Sequence, residues 1–239
     1  MYRATVSATT LQTLQRGGYD VASVRETAGG NEVALVLTGA ERERLRGQGV
    51  RLEVYRDKQG RTQRQRAEVQ AAAGFTVWRS YDEAGGIRDQ MYELARRNPQ
   101  LVKLVVLGKT HQGREYIALK LTQGAREVPD GSRPAVLYAA THHAREWIST
   151  EVDRRLLNWY IDRWRANDSG IRQLLKDNEL WFVPVHNPDG YQYTFDAERL
   201  WRKNLRDNDG SGTTTANDGV DPNRNYAEHW NYDEEGSSS

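Results

Sequence analysis

The run Pro134-Ala135-Val136-Leu137-Tyr138-Ala139-Ala140 is apolar throughout and ends directly against Thr141-His142-His143-Ala144-Arg145-Glu146-Trp147. An apolar stretch of this length without alternation reads as a strand buried on both faces. A second such run, Leu180 to Val185, is closed by Asn187-Pro188-Asp189-Gly190, which reads as a turn. Between them, Trp147 to Trp164 places Ile148, Val152, Leu156, Tyr160 and Trp164 on one helical stripe. Upstream, Tyr81 to Arg97 carries Ile87, Met91, Leu94 and Ala95 at helical spacing and is stopped by Asn98-Pro99. Leu101 to Leu107 and Tyr116 to Leu121 read as strands joined by the turn His111-Gln112-Gly113-Arg114. Strands alternating with helices imply an α/β layered sheet from about residue 74 onward. After Tyr191 the periodicity fades, and Asp233 to Ser239 closes the chain without a regular element.

Residues 1–57 follow a different rhythm. Short strands at Tyr2–Val6, Val21–Val24, Val33–Leu37 and Arg51–Tyr55 enclose helices near Thr10–Gln15 and Glu41–Arg46. The order β-α-β-β-α-β predicts a small α+β open sandwich. Residues 58–73 form a basic connector. Arg56, Lys58, Arg61, Arg64 and Arg66 face only Asp57 and Glu68, which suits a solvated linker or a charged helix start. It also suits an exposed site for a trypsin-like protease.

Composition narrows the function classes. Lys plus Arg total 34 and Asp plus Glu 33, so the near-zero net charge gives no global attraction to nucleic acid or to an anionic membrane. No apolar run approaches the ~20 residues that span a bilayer. Cysteine is absent, which excludes disulfides, thiolate metal sites and a Cys nucleophile. No signal peptide is visible at Met1.

Three segments carry chemistry. His143 and Glu146 are three apart at the end of an apolar strand, where α/β sheets collect ligands. Imidazole nitrogen and carboxylate oxygen both suit Zn²⁺. In Leu200-Trp201-Arg202-Lys203-Asn204, a guanidinium suits polarising a carbonyl. In Gly219-Val220-Asp221-Pro222-Asn223-Arg224-Asn225, an Asn beside a planar Arg fork matches a carboxylate. Taken singly, each has a plainer reading as a capping pair, a charged helix end or a polar turn.

Together and in this order, His143-x-Arg145-Glu146-Trp147, Asn187-Pro188-Asp189-Gly190-Tyr191, Trp201-Arg202-Lys203 and Asp221-x-Asn223-Arg224-Asn225 resemble the zinc metallocarboxypeptidases related to pancreatic carboxypeptidase A. Gly113-Arg114 before a strand fits as well. The resemblance implies a mixed-sheet α/β/α carboxypeptidase-like domain, incomplete here. Residues 74–239 would be its N-terminal half, and the first module a propeptide-like domain that could shield the cleft until the connector is cut. It implies a secreted enzyme that removes one amino acid from peptide and protein C-termini. His143 and Glu146 would bind Zn²⁺, and Arg202 would hold the scissile carbonyl and its oxyanion. Asn223 and Arg224 would grip the terminal carboxylate, and Arg145 would assist along the entry path.

The family also needs a third ligand on a later strand and a Glu general base, and the chain stops before both. The remaining histidines, His111, His142, His186 and His229, read as surface or packing residues. The chain is therefore expected to be inactive alone, and the missing half becomes a potential partner. The alternatives are a non-catalytic relative that binds peptide C-termini and a structural fragment. Asp207-Asn208-Asp209-Gly210-Ser211-Gly212 with Asp218 also places oxygens at calcium-loop spacing, against a plain polar loop.

Overall fold

Ser7 ends the first strand and opens a helix in one step. Its hydroxyl accepts the Thr10 amide at 3.1 Å, supplying one of the hydrogen bonds that a helix start lacks. Thr38 does the same for the second helix, where Glu41 returns a bond to the Thr38 amide and completes a capping box. These caps punctuate a computed structural model that describes residues 1–73, 78–215, 217–228 and 230. His229 and the tail Asp233 to Ser239 lie outside the described residues.

Two compact units divide the chain: Met1–Gly74 with Thr213–Val220 and Arg224–Ser239, and Phe75–Gly212 with Asp221–Asn223. The first contains β1 (Tyr2–Val6), α1 (Ala8–Arg16), β2 (Asp20–Thr27), β3 (Gly30–Val36), α2 (Gly39–Gly47), β4 (Glu53–Val54) and α3 (Gln63–Ala73). The sheet order is β2-β3-β1-β4, with every pairing antiparallel. Ala4, Val6, Leu14, Val33, Leu35 and Leu45 form its core. The sequence period finds each element from β1 to β4, although the fourth strand is only two residues long. The connector contains α3, so part of it is a charged helix. Asp57 ties the turn before that helix by accepting the Gln59 and Arg61 amides, each at 2.9 Å.

The second unit contains α4 (Ile87–Arg97), β5 (Val102–Lys109), β6 (Glu115–Leu121), β7 (Ala135–Ala139), α5 (Trp147–Arg165), α6 (Ser169–Asp177), β8 (Glu179–Val183) and α7 (Pro188–Asp196). The mixed sheet runs β5-β6-β8-β7, with β7 parallel to β8 and the other pairs antiparallel. Successive residues Ile117 to Leu121 are all buried, so both faces of β6 are covered. Lys120 is among them and remains charged-paired: its ammonium donates to the Val128 carbonyl at 2.7 Å and to Asp130 at 2.9 Å. The core gathers Ile87, Met91, Leu119, Leu157, Phe182 and Tyr191.

Four expectations need correction. The helix drawn from Tyr81 begins only at Ile87, because Gly86 is its N-cap and Gly85 sits at φ +71°. The apolar run at 134–140 is not buried on both faces. β7 lies at the sheet edge, with Val136 49% and Leu137 64% exposed. Ile148 and Val152 on α5 face solvent, whereas Trp147, Leu157 and Ile161 are buried. Finally, Asn187-Pro188-Asp189-Gly190 is the start of α7 rather than a free turn. Asn187 caps it by accepting the Gly190 amide at 3.0 Å, and Pro188 occupies the first turn, where its missing N–H costs nothing.

Candidate metal centre

The segment between β7 and α5 is held in an unusual backbone state. Thr141 has φ +57°, an outlier for a β-branched residue. Its hydroxyl lies 2.9 Å from Ser149 Oγ and 2.5 Å from Thr150 Oγ1, and its amide donates to Ser149 Oγ at 3.1 Å. This network over-determines the bend that begins the His142–Glu146 loop.

After the bend the two neighbouring histidines part. His142 stacks on His186, with ring centroids 4.2 Å apart, and His186 Nδ1 meets the Tyr116 hydroxyl at 2.7 Å. Burial lowers the pKa of both rings, His186 to about 4; His143 further disfavours charge on His142, and His142 does the same to His186. They are packing histidines. His111 is exposed in its turn.

His143 is buried and turns the other way. Its Nδ1 lies 2.9 Å from Glu146 Oε1, and its Nε2 lies 3.2 Å from Asp221 Oδ1. The second contact is within ion-pair reach but too poorly aligned to count as a hydrogen bond, and Nε2 has no other partner among the described residues. Burial works against a charged ring, yet the two carboxylates outweigh it and raise the His143 pKa. Burial likewise opposes ionised Glu146 and Asp221. His143 and Arg202 nevertheless hold both below the usual carboxylate range, Asp221 far below. Arg202 closes the set by donating Nε to Asp221 Oδ2 at 2.9 Å. One carboxylate thus joins the imidazole to the guanidinium.

The donor chemistry fits Zn²⁺. A nitrogen and a carboxylate oxygen converge on one side of the ring, and Glu146 is nearly half exposed, leaving room for further ligands. The far ring nitrogen faces an acid, the arrangement that orients a ligating histidine. The sequence offers Asp221 only as part of a motif. The signal was its place two residues before Asn223, but nothing local connects it to His143.

Asn187 braces this loop from below. Its Nδ2 donates to the His142 carbonyl at 3.2 Å and to the Lys203 carbonyl at 3.0 Å. The next polar residue of that motif, Asp189, accepts Thr110 Oγ1 at 2.7 Å, Arg114 Nη1 at 3.0 Å and the Gln112 amide at 3.0 Å. The Gly113-Arg114 and Asn187–Gly190 motifs are therefore one structure. Further ties run from the Ala144 amide to the Arg202 carbonyl at 3.0 Å and from Arg145 Nη1 to the Leu200 carbonyl at 3.3 Å.

Asn223 and Arg224 lie in the 3-10 turn Pro222–Arg224, and the Asn223 amide donates to Asp221 Oδ1 at 2.8 Å. Arg224 donates Nη2 to the Gly18 carbonyl at 3.3 Å. In the polar loop, Asp207 accepts the Gly210 and Gly212 amides, Asp209 the Ser211 amide, and Asp218 the Thr215 amide and hydroxyl. These carboxylates cap their own turns.

A family model described as zinc carboxypeptidase matches residues 87–239. "Zinc carboxypeptidase A 1" of Drosophila melanogaster is 38% identical over 163 residues, which are 68% of this chain and 35% of that protein. "Carboxypeptidase B" of Astacus astacus is 32% identical over 161 residues, 67% of this chain and 48% of that protein. The crystal structure of carboxypeptidase A from Helicoverpa armigera aligns with a TM-score of 0.63 at 25% identity, over 96% of this chain and 58% of that one. The chain thus spans between a third and a half of the length of these curated relatives.

Proposed function

Because the chain belongs to the zinc carboxypeptidase family, we propose that it is the part of a metallocarboxypeptidase that binds the metal and the substrate carboxylate. The reaction is hydrolysis of the last peptide bond of a peptide or protein, releasing one amino acid. The convergence of His143 Nδ1 and Glu146 Oε1 at 2.9 Å, backed by Asp221, carries this reading.

In it, His143 and Glu146 hold Zn²⁺, and Asp221 orients the His143 ring. Bound zinc supplies Lewis-acid polarisation of a carbonyl and a water of lowered pKa. Arg202 donates hydrogen bonds to the scissile carbonyl and to the negative charge that develops there, its own position fixed by Asp221. Asn223 and Arg224 take the terminal carboxylate, with the planar fork of Arg224 giving two parallel bonds. Arg145 guides the entering chain end. The third zinc ligand and the general base are assigned to sequence outside these 239 residues, since the relatives are matched over only 35% and 48% of their lengths. On this reading the chain binds zinc weakly and does not turn over substrate alone, and the remaining part of the catalytic domain is its partner.

The proposal extends to an exported zymogen. The exposed basic residues Lys58, Arg61 and Arg64, which follow the N-terminal module, support a module that is released by cleavage. No described helix is long and apolar enough to cross a membrane.

Equilibrium dialysis of the chain against Zn²⁺ tests the metal. One ion per chain is expected, with a loss of at least about 10-fold in affinity for His143→Ala and Glu146→Ala. Wild-type chain that retains no zinc, or variants that bind equally, sinks the assignment. For the chain with its catalytic remainder, a peptide with a free C-terminus should be cut and its amide should not.

A further inference from the structure

Trp147 follows Glu146 directly and opens α5. Its ring stacks on Phe195 with centroids 4.0 Å apart and planes 5° apart, and its N–H donates to Thr194 Oγ1 at 2.8 Å. The Arg199 guanidinium carbon lies 3.6 Å from the centre of the same indole. Two groups that close must take opposite faces, so Trp147 is clamped between Phe195 and Arg199. Arg199 also donates Nη1 to the Arg145 carbonyl at 3.1 Å. Arg145 lies between His143 and Glu146 in the chain. One guanidinium therefore holds both the backbone inside the ligand pair and the residue that closes it.

Resting on the reading of that pair as a metal site, we infer that Arg199 is a positioning residue for the His143–Glu146 loop. Among the described residues Arg199 makes no ion pair, and burial pulls its pKa down to about 10. A half-buried cation without a carboxylate is a cost to folding. Stacking on Trp147 offsets part of that cost. What the arrangement gains is geometry: the planar fork stacks on the ring and donates in its own plane to the Arg145 carbonyl at the same time. A lysine ammonium cannot do both. Together with the Ala144–Arg202 and Asn187–His142 bonds, the clamp pins the loop from the 194–203 segment. Zinc then meets a loop that is already ordered.

The test compares Arg199→Met and Arg199→Lys with Arg172→Met in the full chain. Arg172 stacks on Trp164 at 4.7 Å and donates to the Trp164 carbonyl at 3.2 Å, a similar cation–ring pair, but 17 residues further along the chain from Trp147. Zinc affinity by dialysis, the visible spectrum of bound Co²⁺ and hydrogen exchange of the Ala144 and Glu146 amides are read beside the melting temperature. Both Arg199 variants should lose about 10-fold in zinc affinity and exchange those amides faster. Arg172→Met should lower the melting temperature and leave affinity, spectrum and loop exchange unchanged. Arg199 variants with wild-type affinity and loop exchange overturn the inference. So does an Arg172 variant that moves both as much, or full rescue by lysine. Should wild-type chain bind no zinc, the metal assignment fails by itself, and loop exchange still decides the role of Arg199.

Discussion

Asp221 Oδ1 lies 3.2 Å from His143 Nε2, on the far side of the imidazole from Glu146, and the other Asp221 oxygen accepts Arg202 Nε at 2.9 Å. A single carboxylate thus sets both the ring that faces the proposed metal position and the guanidinium beside it. Asp221→Asn keeps the shape and removes the charge. Zinc affinity measured by dialysis should fall about 10- to 100-fold, the usual effect of losing an outer-shell carboxylate. Unchanged affinity would show that the ring is oriented by packing alone.

Gly190 is required by space rather than by backbone angle. A Cβ there would collide with the Lys203 carbonyl and sit 2.7 Å from Asn187 Nδ2. The first obstacle is backbone and cannot swing away. Gly190→Ala should destabilise by about 1–3 kcal/mol, which lowers the melting temperature by roughly 3–10 °C. It should also weaken zinc binding, because the displaced Asn187 no longer supports the His142 carbonyl. A melting temperature equal to wild type would mean that the braces relax freely.

Asp153 is 6% exposed on α5, and its Oδ2 has no hydrogen-bond partner among the described residues. Burial pushes its pKa up to about 7. The acid is then neutral in the fold while the unfolded chain ionises near its ordinary value of about 3.9. A raised folded pKa means stability that is present below pH 4, falls progressively between about pH 4 and 7, and stays low above. Thermal melts of Asp153→Asn should show a gain of roughly 5 °C at pH 8 and almost none at pH 4. An equal shift at both pH values would contradict the buried, uncompensated charge.

Leu137 is 64% exposed at the edge strand β7. Unpaired apolar edges template association between chains. Leu137→Lys should raise the concentration at which the chain stays monodisperse in light scattering, with a melting temperature within about 2 °C of wild type. Aggregation at the same concentration as wild type would locate the sticky surface elsewhere.

Limited trypsin treatment should cut first among Lys58, Arg61 and Arg64, all exposed, and release the N-terminal module. With the catalytic remainder present, hydrolysis should rise on that cut. Rates that are equal with and without residues 1–70 would remove the inhibitory role.

Local sequence determined most element types and the closeness of His143 and Glu146. Periods of two and of about 3.6 name strands and helices because they report which side of a segment meets apolar surroundings. The short spacing of His143 and Glu146 lets one loop bring both to one place. The same local signal could not say that Pro134–Ala140 runs along an edge, since two-sided burial depends on which strands pair. Nor could it show that Ile148 and Val152 face outward on an otherwise well-patterned helix. The tertiary structure alone joined His143 to Asp221 across 77 intervening residues, Asp189 to Arg114, and Arg199 to Trp147. These links are contacts between segments that only sheet order and helix packing bring together, so no window along the chain contains both partners.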